Sequence, residues 1–281
     1  MDFVARGTET EPLCPLCGGA AGTVRYQYPD LKIIRCRGCG LWRSCPRLSA
    51  AALTQYYEEQ YYSEQLRRDG QYEAWHARNA EVWAVNAALV RDEARKRGLE
   101  RSTAVTVLDV GSGHGFFLKE CLALGLAAQG IEISPHAVQY AREELKLDVR
   151  QMPIDDLPAS ETYDVITLWE VLEHVPDPLK TMQQVQAHLK SGGMAWVTTP
   201  NTGALERLIK GARYFNFLNQ SHLTHFHAGT LKLLLQRAGL TKVRRYLHWG
   251  GGTRHGIGAL AQYSARVLRL GTELRFIGEK A

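Results

Sequence analysis

The run Asp109-Val110-Gly111-Ser112-Gly113-His114-Gly115 constrains this chain more than any other segment. A β-branched stretch, residues 103–107, precedes it, and an apolar-periodic stretch begins at Phe116. The order is strand, glycine-rich turn, helix start. Glycine has no Cβ and tolerates positive φ, so such a turn lets a ligand approach the backbone at a helix N-terminus. The acid ahead of the glycines sets the sign of that ligand. A carboxylate there repels a pyrophosphate and suits a cation.

The pattern beyond the turn alternates strand and helix. Strands are predicted at residues 103–110, 127–133, 148–151, 163–168 and 194–199, with helices at 114–124, 135–146 and 178–190. This alternation implies a parallel sheet covered on both faces. A helix near 229–238, a strand near 242–248, a helix near 259–268 and a final strand near 273–277 follow. Upstream, Ser49 is a fitting N-cap for a helix over 50–57, and a second helix over 71–96 ends at Gly98.

Residues 12–46 hold five of the six cysteines. Cys14-x2-Cys17 and Cys36-x2-Cys39 are separated by 18 residues, so each pair can take two corners of a tetrahedron and a hairpin can join them. We expect a structural Zn²⁺ held by Cys14, Cys17, Cys36 and Cys39. Four thiolates leave no open coordination position, and closing the site stabilises a module too small for its own core. Free thiols or a redox pair are the other reading. Gly18 and Gly40, each just past a second cysteine, favour the metal.

The runs Asp109–Gly115, Gly130-Ile-Glu132-Ile133-Ser134-Pro135, Tyr163-Asp164-Val165-Ile166 and Leu172-Glu173-His174-Val175-Pro176-Asp177-Pro178 resemble the ordered motifs of class I S-adenosylmethionine-dependent methyltransferases. The stretch from Ser191-Gly192-Gly193 to Thr199-Pro200-Asn201 fits the same order, so the resemblance covers roughly residues 103–240. With its cysteine module the chain looks like a subgroup that has an N-terminal zinc-binding region and counts nucleotide-sugar C-methyltransferases among its relatives. The resemblance implies an α/β fold: a Rossmann-like class I methyltransferase sheet, mostly parallel with the last strand antiparallel, plus a small N-terminal zinc ribbon and a helical cap. The expected division is a zinc-ribbon module over 1–48, a helical linker or cap over 49–100, and an S-adenosylmethionine-binding domain over 101–281.

On that resemblance Gly111, Ser112 and Gly113 pass under the amino-acid half of S-adenosylmethionine, while Asp109 anchors the turn or meets the ammonium. Glu132, at the end of the second strand, can accept both ribose hydroxyls, as carboxylates do in nucleotide-binding sheets. Ile133 then lies on the adenine face with Met152 and Pro153, where the family usually has an acid; Asp155 is a candidate substitute. Trp169 and Glu170 end the fourth strand at the crevice mouth, where an indole face suits a sulfonium.

Methyl transfer to oxygen or carbon usually needs a base. Ser221-His222-Leu223-Thr224-His225-Phe226-His227 places three histidines after the fifth strand, and histidine titrates near neutrality. His225 and His222 are the expected catalytic pair, sharing one side if the segment is a helical turn, with His225 first. The competing reading is a loop whose histidines cap the next helix. Glu170, Glu173 and His174 form a second cluster, E-x-x-E-H, that resembles an arrangement in quinone-precursor O-methyltransferases; the resemblance implies either a hard cation such as Mg²⁺ near the acceptor or a structural brace for the fourth strand. Tyr56, Tyr57, Tyr61 and Tyr62 roof the substrate or pack on the sheet.

The expected partner is a small-molecule methyl acceptor, sugar-like or aromatic. The net charge of +5 is too small to argue for nucleic acid. An RNA methyltransferase gripping its substrate through the ribbon would rely on Arg35, Arg37, Arg43 and Arg47, a short patch. A non-catalytic module with the cofactor fold is opposed by the intact glycine turn and Glu132. A dinucleotide oxidoreductase is opposed by the acid before a turn whose third glycine comes one residue early. No apolar run reaches the ~18 residues that span a bilayer. The first twelve residues carry three acids and no apolar stretch, so a cytoplasmic location is expected. A homodimer is compatible with the sequence.

Overall fold

The computed structural model describes residues 8–9, 13–56, 72–100, 103–247 and 271–281. Tyr57, Tyr61, Tyr62 and the helix expected near 259–268 lie outside the described residues.

The central sheet forms because five short apolar runs can be buried on both faces. These are β6 (Thr106–Val110), β7 (Ala127–Glu132), β8 (Val149–Gln151), β9 (Tyr163–Trp169) and β10 (Leu189–Pro200), which pair parallel with one another. With β12 (Thr241–Arg245) and β13 (Glu273–Glu279) the sheet has seven strands in the order β12-β13-β10-β9-β6-β7-β8. β13 runs antiparallel between β10 and β12. This is the expected Rossmann-like methyltransferase sheet, mostly parallel with an antiparallel last strand.

Side chains alternate between its two faces, as strand geometry requires. Val107, Val165 and Trp196 pack on one side with Phe117 and Val90, whereas Leu108, Ile166 and Val197 pack on the other with Leu231 and Leu234. α2 (Tyr72–Lys96), α3 (Phe116–Ala123) and α4 (Pro135–Glu143) supply helices to the first side. α5 (Pro178–His188) and α8 (Ala228–Arg237) supply them to the second. Local chemistry sets the helix starts. Ser134 caps α4 and Asp177 caps α5, each followed by proline at the first helical position.

The cysteine region is a small antiparallel sheet of β2 (Gly22–Gln27), β3 (Lys32–Cys36) and β4 (Trp42–Cys45), accompanied by the antiparallel pair β1 (Thr8–Glu9) and β5 (Arg47–Leu48) and followed by α1 (Ala50–Tyr56). Its fourth strand, β11, comes from far along the chain. Thr224 and His225 pair antiparallel with Arg43 and Trp42. The ribbon therefore shares its core with the large sheet: Cys14, Leu16, Cys36 and Leu41 belong to the same buried cluster as Leu168, Phe226 and Leu231. Between β10 and β11 the chain forms α6 (Leu205–Lys210) and α7 (Phe215–Leu218). The helical turn considered for residues 221–227 is replaced by this edge strand, because the ribbon offers an unpaired backbone edge.

The glycine turn has little steric slack. Gly111, Gly113 and Gly115 all have positive φ, and a Cβ at Gly115 would lie 2.4 Å from Leu147 Cδ1. We expect Gly115→Ala to cost about 2–4 kcal/mol, combining left-handed strain with overpacking. Urea unfolding of the two proteins measures this, and a loss under about 0.5 kcal/mol would contradict it.

Candidate functional site

The C-terminal ends of β6, β7 and β9 converge where an open α/β sheet binds ligands. Asp109, next to last in β6, is 1% exposed. Its Oδ1 accepts a 2.6 Å hydrogen bond from the Thr167 hydroxyl of β9. Burial, reinforced by the charge of Glu132, raises its pKa to about 8 against the pull of Thr167. Burial of this kind favours the neutral acid, whereas a nearby positive charge would favour the ionised one. Thr167 was not anticipated from sequence; a lone hydroxyl in the buried run Asp164–Leu168 was the available signal.

Glu132, at the end of β7, is 6% exposed and braces the turn. Its Oε2 accepts from Gly113 N at 2.9 Å, and its Oε1 accepts from Ile133 N and Ser134 N at 2.8 and 2.9 Å. Oε1 is filled by two amides, whereas Oε2 keeps a lone pair. The Ser112 hydroxyl is buried with no hydrogen-bond partner among the described residues. Ile133 is 40% exposed, Pro153 is exposed and Met152 half-buried, with Met152 N donating to Glu132 O. Asp155 is ion-paired with Lys180 at 3.0 Å.

Trp169 is half-buried, packed in tilted and edge-on contacts among Phe117, Trp83 and Trp196, and its indole N–H has no hydrogen-bond partner among the described residues. Glu170 follows it with φ +55° and an exposed side chain, its N–H donating to the Thr198 hydroxyl.

The histidine segment is arranged differently from the expectation. His225 is 3% exposed, and its Nε2 lies 3.1 Å from Ser44 Oγ. The Ser44 hydroxyl donates to His222 O, so it accepts from His225 Nε2–H. Burial lowers the His225 pKa to about 3. Ranking His225 first is corrected on these grounds: edge-strand pairing turns it into the ribbon interface. His227 caps α8, its Nδ1 accepting from Gly229 N. His222 instead joins the second cluster. One ligand-type atom from each of Glu173, His174 and His222 lies within 4.8 Å of the others. Nδ1–H of His174 donates to Ser221 O at 3.0 Å and Nδ1–H of His222 to Asn216 O at 3.2 Å, which turns Nε2 of each ring the other way. Glu173 Oε2 accepts from Thr199, while the buried Oε1 has no hydrogen-bond partner among the described residues. Burial lowers the pKa of both histidines and raises that of Glu173.

In the ribbon, one sulfur atom from each of Cys14, Cys17, Cys36 and Cys39 lies within 4.8 Å of the other three. Cys14 Sγ is 3.4 Å from Cys39 Sγ, and Cys17 Sγ is 3.5 Å from Cys36 Sγ. A tetrahedral Zn²⁺ at ~2.3 Å from each sulfur needs S···S spacings of about 3.8 Å, so this donor set fits. Gly18 and Gly40 have φ +69° and +81°. The arginines of the RNA reading are divided: Arg43 is 4% exposed and donates to Ala20 O, and Arg47 donates to Pro176 O.

A family model described as methyltransferase domain matches residues 63–245. The fold is that of class I S-adenosylmethionine-dependent methyltransferases. The chain belongs to the methyltransferase domain family. Among curated relatives, ubiquinone biosynthesis O-methyltransferase of Xanthomonas campestris pv. campestris is 33% identical over 129 residues, 43% of this chain and 54% of the relative. That of Actinobacillus pleuropneumoniae serotype 5b is 36% identical over 121 residues, 38% and 52% respectively. The chain thus spans about half the length of these relatives. Plantazolicin methyltransferase BpumL, solved with a monoazolic desmethylPZN analog and SAH, has a similar fold (TM-score 0.55, 17% identity, 81% of this chain and 96% of that one). So does magnesium protoporphyrin IX methyltransferase from Synechocystis PCC 6803 with bound SAM (TM-score 0.53, 13% identity, 82% and 95%). Among the described residues no helix is long and apolar enough to cross a membrane.

Asp109 yields a pH prediction. Its folded pKa of about 8 exceeds the ordinary 3.8, so the folded state holds a proton that the unfolded chain releases. Its contribution to stability is therefore fullest below pH ~4 and falls away as pH rises toward 8. Asp109→Asn removes that dependence. The variant's melting temperature should gain on wild type between pH 5 and about 8 and level off above; parallel curves would contradict the assignment.

Proposed function

We propose that the protein transfers a methyl group from S-adenosylmethionine to an oxygen or carbon of a small-molecule acceptor, sugar-like or aromatic, and carries a structural zinc in its cysteine ribbon. The observation that carries the reading is the buried Asp109 carboxyl beneath a glycine turn braced by Glu132. Buried acid next to backbone amides selects a cation-bearing nucleoside over a pyrophosphate. The names of the curated relatives favour an oxygen acceptor.

When bound, the cofactor supplies a methyl carbon already activated by a sulfonium, so the protein's work is alignment and proton removal. Asp109 ionises toward the cofactor ammonium, directly or through water. The backbone of Gly111, Ser112 and Gly113 underlies the amino-acid half. Glu132 turns its remaining lone pair to the ribose, and Ile133, Met152 and Pro153 flank the adenine. Trp169 and Glu170 border the methionine part. His222 is the proton acceptor: its imidazole is neutral at physiological pH and lies against His174, ring centroids 4.7 Å apart. His225 contributes by holding the ribbon strand in place through Ser44.

A divalent cation at Glu173, His174 and His222 is the second reading, favoured by the buried Glu173 Oε1, which accepts no hydrogen bond among the described residues and lies 3.8 Å from His174 Nε2. It would orient an acceptor hydroxyl and lower its pKa.

Three measurements test the proposal. Cofactor affinity by calorimetry should rise from pH 6 to about 8 with proton release, because binding favours ionised Asp109; Asp109→Asn should bind weakly and independently of pH. Pre-steady-state methyl transfer should fall about 10²-fold or more in His222→Ala, the usual worth of a positioned base. An unchanged rate would remove His222 from the mechanism, and rate loss on chelation would move the site to the cation reading. Elemental analysis should find one zinc per chain. Cys36→Ser should lose it and melt about 10 °C lower, because closing the site contributes several kcal/mol.

A further inference from the structure

The α6–α7 segment displays large apolar side chains to solvent: Leu205 (43% exposed), Leu208 (57%), Ile209 (76%), Phe215 (69%) and Leu218 (49%). α6 buries none of its residues. Leu205, Leu208 and Ile209 are three and four apart and share one helix face; Phe215 and Leu218 share another. Isolated exposed leucines are ordinary, but a cluster this dense marks an interaction surface.

The segment is anchored from behind. Tyr214 and Phe217 are buried with Leu31, Ile33 and Trp42, and Phe217 stacks on Trp42 at 5.6 Å between centroids. The Tyr28 hydroxyl donates to Ala212 O. The apolar face is therefore held outward by the ribbon.

Charge decides what covers it. Residues 205–218 carry Arg207, Lys210 and Arg213 against Glu206 alone, and Glu206 pairs with Lys210 at 2.5 Å. Arg213 is exposed and has no acidic partner among the described residues. Arg207 and Arg25 both lie over the Trp42 ring, at 5.4 and 5.8 Å, and Arg25 leads into an open groove lined by Arg35 and Arg37. A second copy of this chain on the same face would set these guanidinium groups against one another. A bilayer with anionic headgroups matches both features, taking apolar side chains into the acyl boundary and cations at the phosphates. We propose that the α6–α7 face, with the ribbon arginines beside it, seats the protein on an anionic membrane surface without crossing it.

The proposal is independent of methyl transfer and is tested without cofactor. The full chain is floated with vesicles of phosphatidylcholine alone or of equal parts phosphatidylcholine and phosphatidylglycerol, at low and high salt. Wild type should float with the anionic vesicles and less so at high salt. The double variant Ile209→Ser, Phe215→Ser should partition at least about 10-fold less, with an unchanged melting temperature because both side chains face solvent. Arg25→Glu with Arg213→Glu should lose the preference for anionic vesicles. Wild type left unfloated at low salt would overturn the proposal, as would a serine variant that floats like wild type. A concentration-dependent dimer abolished by the serine pair would also overturn it, giving the face to a second copy.

Discussion

Backbone pairing of Thr224 and His225 with Arg43 and Trp42 joins the cysteine ribbon to the seven-stranded sheet. Three short strands expose an edge whose amides and carbonyls need partners, and so small a module cannot bury enough apolar surface to stand alone. β11 satisfies that edge from a segment more than 170 residues downstream of β4. Phe226 beside it enters the common core, Arg237 of α8 donates to Leu16 O, and Ser44 donates to His222 O. The same pairing sets His225 against Ser44 at the ribbon interface, whereas His222 lies against His174.

Buried polar groups follow the same accounting. Thr167, Thr199 and Ser44 are each close to fully buried, and each hydroxyl bonds a titratable side chain: Asp109, Glu173 and His225. A carboxyl in a low-dielectric site keeps its charge only with compensation. One hydroxyl is not enough for Asp109, so its pKa stays high. Glu132 receives three backbone N–H bonds, yet burial still prevails. Burial thus raises the pKa of both carboxyls beside the glycine turn.

The ribbon has consequences beyond its four cysteines. Through Trp42 it stacks on Phe217 and holds α7 from below, so the apolar residues of α6 and α7 stay displayed instead of folding back. A segment that in isolation would collapse becomes a fixed surface. Antiparallel pairing of Thr23 with Arg35 brings Arg25, Arg35 and Arg37 to one groove, and Arg25 also lies over the Trp42 ring on which Phe217 stacks.

The strand–turn–helix at Asp109–Gly115, the parallel sheet with its antiparallel last strand, and the spacing of the four cysteines were all readable from the sequence, because each is local. Glycine conformational freedom, apolar runs of strand length and cysteines two residues apart act within a few residues. The family itself was readable for the same reason, through several local motifs in order. The functions of individual polar residues were not. Glu132 was expected to await the ribose, and the fold employs Oε1 and part of Oε2 on backbone amides. His222 and His225 look equivalent in sequence, and their difference arises from Ser44, Glu173 and His174, none of which is a local neighbour. Tertiary structure decided these cases because the free energy of a buried charge or imidazole depends on what surrounds it in space, and that environment is assembled from distant parts of the chain.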